Sequence, residues 1–496
     1  MEQQAWVDRT GGAAEAVSHA GEDADAPPGF EHVAPGTHDV ASLAANLSSI
    51  QVGEGEDARA DNEDPALGNA GLQEPEDNEI RTVHAGDTPY TSAASFDDLP
   101  ISEMLLQGLY TEMKFEKPSR IQAKTLPMIL TKPYRSLIAQ AHNGSGKTTC
   151  FVLAMVSRVD PKLAQPQALC VCPTRELVMQ NLQVLERLAR HAGITATSTA
   201  AVDFQITRQT RIVDHVVFGT HGSLKNWMSK RVLSVNSIKI LVFDEADEML
   251  KVDAFASDSV RMIKDVRQAT GNPDLQILLF SATFNDKVKN FAMKVVPGAN
   301  QVFVPREDLS LDVIKQYKVV CPTPQDKLVV LKDMIFPQCE KLGQTIIFVR
   351  TRETARALHS AMERDGHRCT SIEGSMMKDA RDRVVQEFRE GTTKVLISTD
   401  VLSRGFDVTQ VTLVVNFDVP TERNNRDPAF ETYLHRIGRS GRFGRKGAAF
   451  NLVCGFTETA VIDQIADYFH HPIPEVPYND EERFIAVLKE AGLTEG

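Results

Sequence analysis

RSLIAQAHNGSGKTTCFVLAMVSRV, residues 135–159, passes from a short apolar run through a glycine-containing loop into a stretch with helical spacing of apolar residues. A strand, a tight turn and a helix start in that order make a phosphate-binding loop. The loop proper, AHNGSGKT at 141–148, opens on Ala141 where the simple pattern has glycine. Gly144 and Gly146, flanked by Asn143 and Ser145, still let backbone N–H groups turn toward phosphate oxygens at the positive end of the following helix. Lys147 is placed to reach the β and γ phosphates and Thr148 to offer its hydroxyl to Mg2+. The bland alternative is a helix start after a glycine-containing turn.

A second run, IKILVFDEADEML at 238–250, ends an apolar strand in two adjacent acids. Carboxylates buried behind such a run are costly unless a cation compensates them. Asp244 suits a Mg2+ held through water, and Glu245 suits a base that orients and deprotonates an attacking water. Taken alone, the four residues could also be an acidic helix start. Their place 97 residues after Lys147, in the next part of a parallel sheet, makes the pair a reading of nucleotide hydrolysis.

Around these motifs the pattern is α/β. Apolar runs RSLIAQ, QALCVC, IVDHVVFG, IKILVFD, QILLFSA, QTIIFVR, KVLISTD, VTLVVNFD and AAFNLVC alternate with amphipathic stretches, which implies parallel sheets with helices on both faces. The charged segment REDLSLDV, 306–313, divides the folded part in two. The expected organisation is a domain at 95–306, a hinge at 307–312 and a second domain at 313–496, each of ordinary domain size. Residues 1–94 hold 19 acidic and 3 basic side chains and no lysine, a net of −16, which leaves the other 402 residues at +3 within a total of −13. Such a composition predicts a disordered acidic tail, and it removes the objection that an acidic chain should avoid nucleic acid. Inside the tail, Val40, Leu43, Leu47 and Ile50 recur at helical spacing, as a transient helix or a segment that docks on the folded part. The seven cysteines include no C-x-x-C pair, and a strand through Cys170 and Cys172 would bury both on one face as reduced core thiols. Neither end reads as a secretory or membrane signal, so the expectation is a soluble intracellular protein without membrane insertion.

HRIGRSGRFGRKG, 435–447, places Arg at 436, 439, 442 and 445 in a three-residue rhythm. It is either a disordered Arg/Gly segment that gathers RNA or a loop aimed at a transferring phosphate. Its position between the runs VVNFDV and AAFNLVC favours an ordered loop and helix. Arg436, Arg445 and Lys446 are expected to be solvated charge.

Together these stretches resemble a DEAD-box RNA helicase, over essentially all of residues 95–455. FEKPSRIQ (115–122), PTREL (173–177), SAT (281–283), IIFVRTR (346–352), STDVLSRGFD (398–407) and HRIGRSGR (435–442) stand in the family's order. The resemblance implies two tandem RecA-like parallel-sheet domains and RNA-stimulated hydrolysis of ATP with Mg2+. It implies that Phe115 stacks on adenine and Gln122 bonds its edges, and that Asp407 meets the ribose. Ser281 and Thr283 would link hydrolysis to closure of the lobes. Arg439 and Arg442 would act as arginine fingers on the γ-phosphate, with His435 linking them to the carboxylates. Single-stranded RNA would lie across both lobes on Thr174, Arg175, Thr220, Gly222, Thr351, Gly374, Thr399 and Arg404. Two departures fall in the first lobe: Thr220-His221-Gly222-Ser223 replaces the usual T-P-G-R, and the glycine pair near 195–205 is missing. The twelve residues between Pro420 and Tyr433, with GSLKNW after Thr220, resemble the mRNA-export helicases of the nuclear pore. That branch implies a monomer in cytoplasm and nucleus, at the cytoplasmic face of the pore. It also implies a nucleoporin propeller docked near Arg261 and Lys264, and an export activator with inositol hexakisphosphate. A clamp of the translation-initiation or exon-junction type is the alternative.

Overall fold

The computed structural model describes residues 81–83, 90–141, 145–200, 210–250, 253–272, 275–284, 286–303, 314–339, 341–400, 410–422, 426–441 and 446–494. Two sheets organise them. In the first lobe the strands are Arg81–Val83 (β1), Leu137–Gln140 (β2), Ala168–Cys172 (β3), Ala196–Ser198 (β4), Val216–Thr220 (β5), Ile240–Phe243 (β6), Gln276–Ser281 (β7) and Asn300–Phe303 (β8). Their order is β1-β8-β2-β7-β6-β3-β5-β4, parallel throughout except for β1 on β8. In the second lobe they are Ile314–Cys321 (β9), Gln344–Phe348 (β10), Cys369–Ile372 (β11), Val395–Ser398 (β12), Val411–Asn416 (β13), Gly447–Cys454 (β14) and Glu475–Pro477 (β15). These run parallel in the order β11-β12-β10-β13-β14-β9-β15.

Alternation along the strands builds a core on each face of each sheet. In the first lobe Ala168, Cys170 and Cys172 join one apolar cluster while Leu169 and Val171 join the other. In the second, Ile347 and Leu413 face one cluster and Ile346, Phe348 and Val414 the opposite one. All seven cysteines are free thiols, and burial pushes Cys150, Cys321 and Cys369 up to about 12, so they serve as core side chains. Among the described residues no helix is long and apolar enough to cross a membrane.

The expectation of a structureless span to residue 94 fails at its end. Arg81–Val83 is a strand paired to Gln301–Phe303, and Ala93 is buried with its N–H donated to Ala123 O at 3.0 Å. The unpaired edge of β8 offers backbone groups that even a short polar segment can satisfy. The Val40–Ile50 patch and the hinge 307–312 lie outside the described residues.

Candidate nucleotide and RNA site

Parallel sheets present their ligand-binding loops at the carboxyl ends of the strands. In the first lobe β2, β7 and β6 are neighbours, and their carboxyl ends deliver the 141–148 loop, Ser281 with Thr283, and Asp244 with Glu245. The adjoining β3 and β5 end at Thr174 and Thr220. One half of this edge therefore carries the nucleotide candidates and the other half the RNA candidates.

Gly146 caps the Lys147–Arg158 helix at φ +95°, and a Cβ there would fall 2.4 Å from Gln122 Nε2, so glycine is required on both counts. Gln122 begins a helix through a reciprocal cap: its Oε1 accepts from Ser119 N at 2.9 Å, and its N–H donates to Ser119 Oγ at 3.4 Å. Its Nε2 donates to Gly146 O at 3.3 Å, and Ser119 Oγ donates to Ser145 O at 2.7 Å. The segment expected to read adenine is thus fastened to the phosphate loop. Half of the Gln122 amide's four hydrogen-bonding sites remain for a base edge. Phe115 is half-buried and stacks on Phe96 with ring centroids 6.4 Å apart.

Lys147 is buried, and burial pushes its ammonium pKa down against the raising pull of Glu245, Asp244 and Asp247. Asp244 is buried too; burial raises its pKa, opposed by the Asn181 Nδ2 hydrogen bond at 2.9 Å and by the Lys147 charge. Desolvation thus works against charge on both sides, and a hard cation with bound phosphates would compensate it. The oxygen donors at hand, the Thr148 hydroxyl and the Asp244 carboxylate, suit Mg2+, which keeps several waters and leans on phosphate oxygens. Among the described residues no group of three or more His, Cys, Asp or Glu forms a separate metal site. Glu245 is buried with φ +51°, a left-handed backbone that costs a side-chain-bearing residue on the order of 1–3 kcal/mol.

Asp247, to which the sequence assigned no role, is the junction of the two lobes. Its Oδ2 accepts from Thr283 Oγ1 at 2.9 Å and lies 3.2 Å from Nε2 of His435, with both side chains of the latter pair fully buried. Ser281 Oγ donates to Thr283 O at 2.6 Å. The signal available for Asp247 was its place three residues after Asp244, in the first turn of the short Ala246–Leu250 helix. His435 lies in the last turn of the Phe430–Ile437 helix between β13 and β14, and buried Arg439 donates from Nε to His435 O at 3.0 Å. The Arg439 charge is close enough to help push the Lys147 pKa down. Arg442, Asn143, Gly144, Arg404 and Asp407 lie outside the described residues.

Arg436 corrects an expectation. It is 1% exposed, not solvated, because Asp400 Oδ1 at 2.7 Å, Asp418 O at 2.7 Å and Asn416 Oδ1 at 3.2 Å satisfy its guanidinium.

Of the RNA candidates, Thr174 and Thr351 cap helices, their Oγ1 atoms accepting from Leu177 N at 3.3 Å and Thr354 N at 3.0 Å. Thr220 Oγ1 donates to Ser223 Oγ at 3.0 Å, and Gly222 is exposed with open space where a Cβ would stand. Gly374 is exposed after β11 and Thr399 is buried after β12. Arg175 spans the lobes: its Nη2 lies 2.7 Å from Asp382 Oδ2, and beside it Arg381 Nε lies 2.6 Å from Glu176 Oε1. Arg261 and Lys264 are exposed on the Asp253–Thr270 helix, and Arg261 lines a cavity of about 730 Å3 with Lys225, Asp258 and Arg231.

Residues 119–291 match the DEAD/DEAH box helicase family and residues 326–444 the helicase conserved C-terminal domain. DEAD-box ATP-dependent RNA helicase 38 of Arabidopsis thaliana is 52% identical over 435 residues, 85% of this chain and 86% of that protein. The solved structure of Saccharomyces cerevisiae Dbp5 bound to RNA and ADP BeF3 matches with a TM-score of 0.75 at 38% identity, covering 80% of this chain and 100% of that one. A Dbp5 variant bound to Nup159, a Gle1 variant, IP6 and ADP matches with a TM-score of 0.57 at 36% identity, over 79% of this chain and 99% of that one.

Proposed function

The chain belongs to the DEAD/DEAH box helicase family as an ATP-dependent RNA helicase, and from that premise we propose that it remodels RNA–protein complexes during mRNA export at the cytoplasmic face of the nuclear pore. The observation that carries the export reading is the likeness, over four fifths of the chain, to a helicase solved with RNA and, as a variant, with Nup159, Gle1 and IP6.

ATP would enter with its base between Phe115 and Gln122 and its phosphates on the 145–148 backbone and Lys147. Mg2+, carried by Thr148 and Asp244, would neutralise charge on the phosphate oxygens. Glu245 holds the attacking water and takes its proton, while Arg439 and Arg442 face the charge that develops on the transferring group. Ser281, Thr283 and Asp247 carry the state of that site to His435, so hydrolysis loosens the grip of one lobe on the other. RNA is held by its backbone, since hydroxyls, backbone amides and arginines at Thr174, Arg175, Thr220, Gly222, Thr351, Gly374, Thr399 and Arg404 carry no base code. Asp407 would meet the ribose. The working divisions are a first domain that runs to 306 and takes in the 81–83 strand and Ala93, and a second at 313–496, joined at 307–312.

The exposed pair Arg261 and Lys264 would dock a nucleoporin propeller through acidic side chains, and an activator with inositol hexakisphosphate would bind the second lobe. Capture of such a propeller from extract by the full chain, lost when both residues are changed to Glu, tests the docking. Capture of a translation-initiation scaffold in its place, or undiminished capture by the charge-reversed chain, would overturn it.

A further inference from the structure

Arg436 has no part in the chemistry above, yet it is among the largest fully buried side chains. Its contacts lead to two separate working segments, and its own helix carries a third. Nε bonds Asp400, the residue after Thr399 at the carboxyl end of β12. Nη1 bonds the carbonyl of Asp418, whose Oδ2 in turn accepts from Arg350 N at 2.7 Å, immediately before Thr351. The guanidinium carbon stands 5.1 Å from the ring centroid of Phe348, at the base of the same loop. Arg436 itself lies on the helix that holds His435 against Asp247 and leads into Arg439.

Behind this junction a polar chain anchors it to the sheet. Asn416, which accepts from Arg436, donates to Asn451 Oδ1 at 2.8 Å; Asn451 donates to Tyr317 O at 2.9 Å and to the Tyr433 hydroxyl at 3.2 Å; and Tyr433 donates to Gln316 Oε1 at 2.7 Å. β9, β13 and β14 and the Phe430–Ile437 helix are therefore locked together where the guanidinium meets the loops. The planar fork of arginine serves acceptors in fixed, divergent directions, whereas the compact charge of lysine on a flexible stem cannot hold all of them at once.

We propose that Arg436 is a positioning residue that couples RNA occupancy of the Thr351 and Thr399 loops to the placement of His435 and Arg439, and hence couples RNA affinity to nucleotide affinity. The proposal rests on reading those two loops as RNA contacts. Coupling between ligands is reciprocal: whatever factor nucleotide lends to RNA binding, RNA lends to nucleotide binding.

The test uses the full chain carrying Arg436→Lys or Asp400→Asn. Single-stranded RNA binding is measured with and without ADP BeF3, ADP BeF3 binding with and without RNA, and the melting temperature alongside. Both variants should bind each ligand alone within about twofold of the parent, while the mutual tightening falls about tenfold or more in both directions. A change confined to melting temperature would reduce Arg436 to a packing role and overturn the proposal. If Arg436→Lys fails to fold, Asp400→Asn decides, because the Asp400 side chain is 52% exposed and tolerates the change; parental coupling there overturns it. Alanine at Thr351 and Thr399 tests the RNA reading apart from the brace. It should weaken RNA binding and, with it, the mutual tightening; RNA binding equal to the parent's in both variants would overturn the reading of these loops as RNA contacts, and the proposal with it.

Discussion

Glu245 combines burial, a left-handed backbone and a position between two other acids of one buried cluster. Such strain persists only where the surroundings enforce it, here at the turn that follows the end of β6. Glu245→Gln should keep ATP and RNA binding near the parent while turnover falls about 100-fold or more, read by steady-state hydrolysis beside nucleotide titration. Loss of ATP binding would instead exchange the roles of Asp244 and Glu245. Arg439→Ala should lower turnover on the order of 10³-fold with adenine selectivity intact, since the fold already holds the guanidinium against the carbonyl of His435 and near Lys147. Undiminished turnover would remove it from the phosphate site. Lys147, Asp244 and Glu245 were legible in the sequence because each sits in a motif whose spacing points to phosphate chemistry, whereas Gln122 entered through the family resemblance alone. Arg436 was not legible, since a basic residue in an Arg/Gly rhythm reads as solvated, and its acceptors lie 18, 20 and 36 positions away. Asp247 was missed because its partners, Thr283 and His435, are 36 and 188 positions distant.

At the scale of elements, most of the strands are legible as apolar runs in the sequence, because their burial is continuous from end to end. The short strands β1, β4, β11 and β15 are not: three or four residues give no period, and all four stand at sheet edges. After β11 comes Glu373, the residue before Gly374, whose carboxylate contacts Arg356 Nη2 at 2.5 Å and accepts from Ser375 N and Oγ at 2.7 and 2.6 Å. Burial pushes its pKa up, but the Ser375 and Arg356 hydrogen bonds prevail and hold it at about 2 against an ordinary 4.5. A folded-state pKa below the unfolded one stabilises the fold above about pH 4.5, and that contribution disappears as pH falls toward about 2. Glu373→Gln should therefore melt below the parent at pH 7, with the gap closing as pH drops from 5 to about 3. A gap independent of pH would mean that shape rather than charge holds this turn.

Across the whole molecule, charge is divided between an acidic N-terminal span and a folded part whose cleft is crossed by paired charges. Arg381 and Glu176 face each other from opposite lobes beside Arg175 and Asp382. Glu176→Arg and Arg381→Glu should each reduce RNA-stimulated hydrolysis, and the double exchange should recover much of it, because a pair across an interface is restored by swapping its ends. Additive losses would show that the two side chains act apart. An acidic span that competes with RNA for the same cleft would do so through longer-range attraction, screened over about 10 Å at 0.1 M salt. Where it is cut matters. Residues 81–83 complete the first sheet and Ala93 fills its core, so removal of 1–94 takes away structure together with charge, whereas removal of 1–80 takes away charge from beyond β1. Residues 1–80 carry 18 acidic and 2 basic side chains, a net of −16, equal to that of the longer span. The two truncations should therefore raise basal hydrolysis and RNA affinity alike at low salt, with both gains shrinking as salt rises, while only the longer one lowers the melting temperature. If removal of 1–80 leaves RNA affinity unchanged at low and high salt, the acidic span does not compete with RNA, and its charge serves solubility or partner binding.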